Sequence, residues 1–120
     1  MRTIIAGSRT ITKQETANFG IETAPFSEEI TEVVSGRAKG VDRMGETWAL
    51  QNGVPIKFFP VTSADWEQHG KKAGMLRNEK MADYADALIA IWDGQSKGTK
   101  HMIDYARKKG LRVFVYVVAA

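Results

Sequence analysis

Four short segments of the chain concentrate glycine, small hydroxyl residues, arginine and aspartate, which are residue types that bind phosphorylated ligands. They read GSR (7–9), SGRAKGVD (35–42), VTSADWEQHGKKAGMLRN (61–78) and DGQSKGT (93–99). Glycine lets the backbone approach a ligand, free amides at a helix start attract an anion, and arginine bonds phosphate. One such segment alone would more often be an ordinary strand-to-helix turn. Several at one edge of a sheet favour a binding site.

The candidate ligand-binding residues lie in these segments. Two of the segments have glycines on either side of a predicted helix start, and hydroxyl groups could add further donors. The candidates are Gly7, Ser8, Arg9, Gly36, Arg37, Gly40, Asp42, Arg77, Asp93, Gly94, Ser96, Gly98 and Thr99.

Two aspartates and three tryptophans each allow two interpretations. Asp42 is either a carboxylate favoured by the dipole of its helix or an acceptor for a ribose hydroxyl. Asp93 either caps its loop or contacts the ligand. Trp48 and Trp92 are expected in the core, whereas Trp66 either stacks on a base or anchors its loop.

Other cofactor chemistries are not indicated. His69 and His101 are far apart and lack neighbours with metal-ligand spacing, so we expect no metal site. Neither the Walker lysine motif nor GxGxxG is present, and we expect no required cofactor. The chain contains no cysteine, which excludes thiolate chemistry.

The elements that must position these residues alternate between apolar runs and amphipathic stretches. Strands are predicted at 2–7, 30–36, 55–60, 86–93 and 111–118, and helices at 40–52, 71–84 and 99–110. The first connection offers a capping box of Thr12 with Glu15, followed by a helix that Gly20 and Pro25 limit. This alternation predicts one α/β Rossmann-like domain over 1–120, with a five-stranded, mainly parallel sheet and helices on both faces.

Composition narrows the class of partner. The net charge is +3 and the sequence pI about 9.3, with scattered cations apart from the run 107–109, which fits a solvated last helical turn. This charge suits an anionic small molecule and makes nucleic acid an unlikely partner. With no run of about 18 apolar residues and no signal-peptide pattern, we expect a cytoplasmic protein without membrane contact.

Four stretches resemble a known group of proteins. IAGSRT, VSGRAKGVDRMGETWA, ADWEQHGKKAGMLRNEKM and ADALIAIWDGQSKGTKHMI are similar to the YspA-type group of the SLOG superfamily, which unites the Smf/DprA proteins with the LOG phosphoribohydrolases. The resemblance covers nearly the whole chain, with residues 13–29 matching least well. It implies a Rossmann-like domain that binds a nucleotide or an ADP-ribose-like molecule, and a homo-oligomer.

The residue-by-residue match to the LOG enzymes is incomplete. Their PGGxGTxxE motif aligns with Gly94, Gly98 and Thr99, but Met102 stands where they have a catalytic glutamate. Their RKxxM motif is matched by an arginine and a methionine, with an asparagine in place of the lysine. This match adds Asn78 to the candidate ligand-binding residues. Asp104 lies roughly 200° around the helix from Met102, so it is not expected to replace the glutamate.

Three functions follow as hypotheses. The first is a sensor or regulator that binds a nucleotide without converting it, and the missing glutamate favours it. The second is hydrolysis of a nucleotide N-glycosidic bond, with Arg77 and Asp42 as the candidate catalytic residues. The third, binding of single-stranded nucleic acid, needs a basic groove with stacking aromatics and is least supported.

Overall fold

The computed structural model describes residues 1–119, and within them the chain forms a five-stranded parallel sheet. The strands are β1 (Arg2–Gly7), β2 (Glu32–Ser35), β3 (Ile56–Phe58), β4 (Ala87–Trp92) and β5 (Arg112–Val117). They are ordered β3–β2–β1–β4–β5, and each neighbouring pair is parallel. The predicted α/β fold with a five-stranded sheet is confirmed; β1 has its predicted bounds, and the other four strands are shorter than predicted.

Five α-helices connect or flank these strands within the described residues. They are α1 (Gln14–Thr23), α2 (Val41–Gln51), α3 (Ser63–His69), α4 (Ala73–Tyr84) and α5 (Lys97–Lys108). Single 3-10 turns lie at Ser27–Glu29 and Gly70–Lys72. None of the helices formed by residues 1–119 is long and apolar enough to cross a membrane.

The core consists of two apolar layers, one on each face of the sheet. Successive strand residues point to opposite faces, so Ile5 and Ile89 pack with α1 and α2, whereas Ile4 and Leu88 pack with α4 and α5. Because both faces are covered, β1 and β4 are almost wholly buried. This explains why their sequences are continuous apolar runs rather than alternating ones.

The predicted capping box of Thr12 with Glu15 is wrong. The N-cap residue of α1 is Lys13, whose side chain has no oxygen to accept a hydrogen bond, and Thr12 lies exposed one residue outside. The helix also runs through Gly20. A Cβ atom there would lie 3.0 Å from the side chains of Ile91 and Tyr116, so glycine lets α1 pack closely on the sheet.

A capping box is instead present at the start of α3, in a stretch predicted to be a loop. The Thr62 hydroxyl accepts a hydrogen bond from the Asp65 backbone N–H at 3.1 Å, and the Asp65 carboxylate accepts one from the Thr62 N–H at 2.9 Å. The hydrogen bonds with Thr62 hold the pKa of Asp65 below its usual value. The sequence TSAD carries this signature, but no apolar periodicity follows it.

We expect Thr62→Ala to loosen α3 by about 1 kcal/mol, because the exposed Asp65 amide loses its acceptor. Faster hydrogen exchange at the amides of Asp65 and Trp66 would measure this. Thr12→Ala is the matched control and should leave exchange in α1 unchanged. A larger effect of Thr12→Ala than of Thr62→Ala would contradict the assignment of the cap.

Candidate functional site

A cleft lies at the carboxyl edge of the sheet, where the strand order reverses between β1 and β4. In open parallel sheets this reversal is where ligands bind. The cleft has a volume of about 1010 Å³. Among the candidates from sequence, those that line it are Gly7, Arg9, Gly36, Arg37, Asp42, Arg77, Asn78, Asp93, Ser96, Gly98 and Thr99. The other three, Ser8, Gly40 and Gly94, lie in the same loops but outside the lining.

Arg77 on α4 joins the loops that meet in this cleft. Its guanidinium donates to the Gly36 carbonyl oxygen after β2 and, through Nε, to the Asn78 side-chain oxygen at 3.1 Å. Burial lowers the pKa of Arg77, and the nearby Asp42 carboxylate opposes that shift. Arg77 is therefore a half-buried cation in a fixed position on the cleft wall.

Asp42, in the first turn of α2, is the buried acid of the cleft. The residue is 5% exposed, and its carboxylate accepts a hydrogen bond from the Ala38 N–H at 3.2 Å. Burial raises the pKa of Asp42 to about 6, although the charge of Arg77 and the Ala38 bond act in the opposite direction. A group with this pKa can exchange a proton near neutral pH.

A second buried acid, Glu46, lies on α2 one helical turn after Asp42. Glu46 is 8% exposed, accepts a hydrogen bond from the Ser35 hydroxyl at 2.6 Å and pairs with Arg37 Nε at 3.4 Å. Arg37 has a φ of 61°, which is unusual for a residue other than glycine. The ion pair and the contact of its guanidinium with the Phe58 ring, 4.9 Å from the centroid, stabilise Arg37 in this conformation.

Asp93 caps its own loop. One carboxylate oxygen accepts bonds from the backbone N–H groups of Gln95 and Ser96, both at 2.8 Å, and the other accepts the Thr10 hydroxyl at 2.8 Å. These bonds hold the pKa of Asp93 well below its usual range. The Ser8 hydroxyl in turn accepts the Asp93 N–H at 3.0 Å. Of the two interpretations of Asp93, the structure supports loop capping.

The start of α5 is held by side chains from its own loop and from α4. Ser96 is the N-cap residue and accepts a bond from the Thr99 N–H at 3.4 Å. The Asn78 amide lies 3.4 Å from the Gly98 carbonyl oxygen and 3.4 Å from His101 Nδ1. Asn78 on α4 therefore holds the first turns of α5 in place, and the neighbouring Arg77 faces the cleft.

The candidate glycines divide into two kinds. A Cβ on Gly7 would lie 2.1 Å from the Ile91 carbonyl oxygen, and one on Gly36 would lie 2.4 Å from the Arg77 guanidinium. Packing therefore requires glycine at Gly7, where the neighbour is backbone, whereas a methyl at Gly36 would displace the Arg77 guanidinium from its position. Gly98 differs, because no described atom other than those of its chain neighbours and its own helix backbone lies within 4 Å of its Cβ position. Glycine inside a helix lowers stability slightly relative to alanine. Because packing does not require glycine at position 98, the fold does not explain its presence.

Trp48 and Trp92 pack in the core, as predicted from the sequence. Met102 occupies the position of the LOG glutamate, and Asp104 does not replace that acid. Trp48 is buried, and the half-buried Trp92 packs on the core while its Nε1 donates to the Ser96 carbonyl oxygen. Met102 is 1% exposed and lines the cleft floor. Asp104 faces solvent and pairs with Lys100 at 2.7 Å, so it cannot replace the missing acid.

The lining also contains residues outside the predicted binding set. Five of the lining side chains are cationic and two are carboxylates, which gives the cleft a positive balance suited to an anion. The lining extends along residues 60–75, a stretch in which the sequence analysis named Trp66 alone as a side chain that could contact a ligand. The additional residues there are Pro60, Val61, Trp66, Lys71, Gly74 and Met75.

Comparison with known proteins places the chain in a family. No family model matches it. The gene 61 protein of Mycobacterium phage D29 is 44% identical over 86 residues, which cover 68% of this chain and 67% of the phage protein. The chain belongs to the gene 61 protein family. A shorter match links this family member to the prophage-derived protein YoqJ of Bacillus subtilis, 44% identical over 32 residues, or 27% of this chain and 19% of YoqJ.

The fold is shared with a solved structure. DNA processing protein A (DprA) from Streptococcus pneumoniae superposes with a TM-score of 0.73 at 22% sequence identity, over 95% of this chain. The chain spans about half of DprA, 49% of its length. The Smf/DprA-type Rossmann-like fold implied by the sequence resemblance is therefore confirmed.

Proposed function

We propose that this member of the gene 61 protein family binds a nucleotide or nucleotide-derived ligand in the cleft, as a sensor or regulator. The observation that carries the proposal is the fixed, half-buried Arg77 cation, which lies where the loops after β1, β2 and β4 meet. A cation held in place bonds phosphate without losing much side-chain freedom. Asp42 is available for a ribose hydroxyl beside it.

The proposed subgroup is consistent with this function. The motifs that resemble the YspA-type group contribute to the lining of the cleft, and the LOG-like Gly98 and Thr99 lie in the first turn of α5. The buried Met102 in place of the glutamate favours binding over turnover. An ADP-ribose-like ligand fits this proposal because it carries both phosphates and ribose.

Arg77→Ala should weaken binding of AMP, ADP and ADP-ribose about 10- to 100-fold, because the phosphate loses a charge-assisted hydrogen bond. Isothermal titration calorimetry measures this directly. Arg77→Lys keeps the charge but not the two-pronged donor, and should show an intermediate loss. Arg107→Ala removes an exposed arginine at the far end of α5 and should bind like the natural protein. No binding of any of these ligands to the natural protein would overturn the proposal.

A second candidate function, hydrolysis of a nucleotide N-glycosidic bond, is favoured by one observation. The pKa of Asp42 is raised to about 6, so this acid can hold or release a proton in the cleft. Water would add to C1′ of the ribose as the bond to the base breaks. Asp42 would give its proton to the departing base and recover one from the water.

Chromatography of nucleoside monophosphates after incubation with the protein separates the two candidates. Turnover predicts free base that disappears in Asp42→Asn. Intact nucleotides after prolonged incubation with a protein that binds them would exclude the hydrolase.

A further inference from the structure

The lining of the cleft has two chemically different parts. The loops after β1, β2 and β4 contribute arginines, aspartates and hydroxyl groups. The stretch from 60 to 75 contributes mainly apolar surface, from Pro60, Val61, Trp66 and Met75. A ligand that fills the whole cleft must therefore combine an anionic part with a flat or apolar part.

Two large apolar side chains of this stretch are strongly exposed. Trp66 is 52% exposed and Met75 46% exposed, although both line a cleft. Exposed apolar surface at the rim of a charged pocket is typical of a binding site. The indole ring is a good stacking surface for a nucleobase, and a methionine thioether adapts to aromatic rings.

Trp66 has a defined place although α3 contributes no core packing. All seven residues of α3 are exposed or half-buried. The capping box of Thr62 and Asp65 immediately precedes Trp66 and fixes the first turn of the helix. The backbone N–H of Trp66 also donates to the Thr62 carbonyl oxygen at 3.1 Å. The exposed indole is thus carried by a capped helix rather than by an irregular loop.

Gly74 gives an independent sign of contact at the same wall. It lies in the first turn of α4, lines the cleft, and has no described atom within 4 Å of its Cβ position. Its φ is not in the left-handed region, so alanine would fit the backbone. Glycine inside a helix costs stability relative to alanine. Neither packing nor backbone conformation requires glycine here, and a ligand that lies close to the helix backbone would require it.

We infer that the wall formed by Trp66, Gly74 and Met75 is the nucleobase subsite of the cleft. This inference rests on the proposed function and deepens it. The phosphate lies at Arg77 and the start of α5, and the base stacks on Trp66 while contacting the α4 backbone at Gly74. The ligand class is accordingly a nucleoside phosphate, and a sugar phosphate without a base uses only half of the site.

The test compares ligands with and without a base. Binding of AMP, GMP, CMP, UMP and ribose 5-phosphate is measured by calorimetry for the natural protein, Trp66→Ala, Trp66→Phe and Gly74→Ala. We expect the best nucleotide to bind at least about 10-fold more tightly than ribose 5-phosphate. Trp66→Ala and Gly74→Ala should remove most of that advantage and leave ribose 5-phosphate binding unchanged. Trp66→Phe, which retains a ring, should keep most of it.

Two further readouts separate a ligand contact from a structural role. Gly74→Ala should melt at the same temperature as the natural protein or higher, so weaker binding cannot come from unfolding. Nucleotide should quench tryptophan fluorescence in the natural protein and not in Trp66→Phe. Phe19→Ala, which removes an exposed ring outside the cleft, is the matched control and should bind normally.

The possible failures are distinguishable. Equal affinities for nucleotides and ribose 5-phosphate, unchanged in Trp66→Ala, would overturn the base subsite while leaving the proposed function intact. Absence of binding for every ligand, ribose 5-phosphate included, would overturn the proposed function and the subsite with it.

Discussion

Gly7→Ala is expected to lower the free energy of unfolding by about 3 kcal/mol or more, or to prevent folding. The added methyl would lie 2.1 Å from the Ile91 carbonyl oxygen and 2.8 Å from the Val41 side chain. Both neighbours are fixed, since Ile91 belongs to β4, which lies inside the sheet between β1 and β5, and Val41 begins α2 within the core. Neither β4 nor α2 can move away without disrupting the pairing of β1 with β4. Urea unfolding followed by circular dichroism measures the loss.

Gly98→Ala is the matched control for that experiment. It changes another glycine of the cleft, but in a helix and with no described atom within 4 Å of the new methyl. Stability should be equal to that of the natural protein or higher by about 0.5–1 kcal/mol. If the substitutions at Gly7 and Gly98 destabilised equally, the division of the glycines into packing and ligand-facing positions would be wrong.

This division shows where sequence reasoning reaches its limit. Gly7 and Gly98 occupy equivalent places in the sequence pattern, each next to a strand-to-helix turn. Their reasons differ because Gly7 lies against a strand 84 positions away in the chain, whereas Gly98 faces open space. The pattern predicted that both lie near the cleft. Only the tertiary neighbours separate the requirements of the fold from those of a ligand.

The sheet itself was predictable because its strands are buried on both faces. Continuous apolar runs such as 86–93 mark β4, and the alternation with amphipathic stretches predicts the parallel connections. The ends were less predictable. The sequence predicts Ile30 within the second strand, but it lies outside β2. It is buried because it packs in the apolar layer that contains Ile5 and Ile89.

Helix α3 was not predicted because it is exposed, whereas the strands were predictable because they are buried. None of its seven residues is buried, so apolar periodicity, the main signal for a helix, has nothing to record there. Its only local signal is the cap sequence TSAD, whereas the sequence analysis names a capping box at Thr12 alone. Trp66 was consequently placed in a loop, and Gly74 and Met75, although they lie within the predicted helix 71–84, were not among the candidates.

The two parts of the cleft therefore come from different kinds of structure. The phosphate side is built on turns between buried elements, where backbone packing requires Gly7 and hydrogen bonds hold Arg77. The base side is built on α3 and the start of α4, which contribute little to the core. Changes at the base side should alter ligand preference with little effect on folding, whereas changes at tightly packed positions of the phosphate side, such as Gly7, should affect both.

The natural protein is expected to gain about 1.4 kcal/mol of unfolding free energy from Asp42 between pH 8 and pH 5. The pKa of Asp42 is raised from 3.8 to about 6 in the folded protein because burial disfavours its charge. Between these two values the folded state binds more protons than the unfolded state. Stability from this group therefore rises as the pH falls through about 6, and it is lost as the pH rises. The full difference, reached below pH 4, is about 3 kcal/mol.

Asp42→Asn isolates this contribution because the amide cannot ionise. Its unfolding free energy, measured in urea at intervals between pH 5 and pH 8, should lack the rise seen in the natural protein. Asp104→Asn is the matched control, because Lys100 and other cations lower the pKa of that exposed acid and it stays ionised throughout this range. Below pH 4 the lowered carboxylates Asp65 and Asp93 begin to protonate and oppose the trend, so the window ends above it. A slope retained in Asp42→Asn would mean that Asp42 is ionised in the fold at pH 5, and it would remove the acid on which the hydrolase candidate depends.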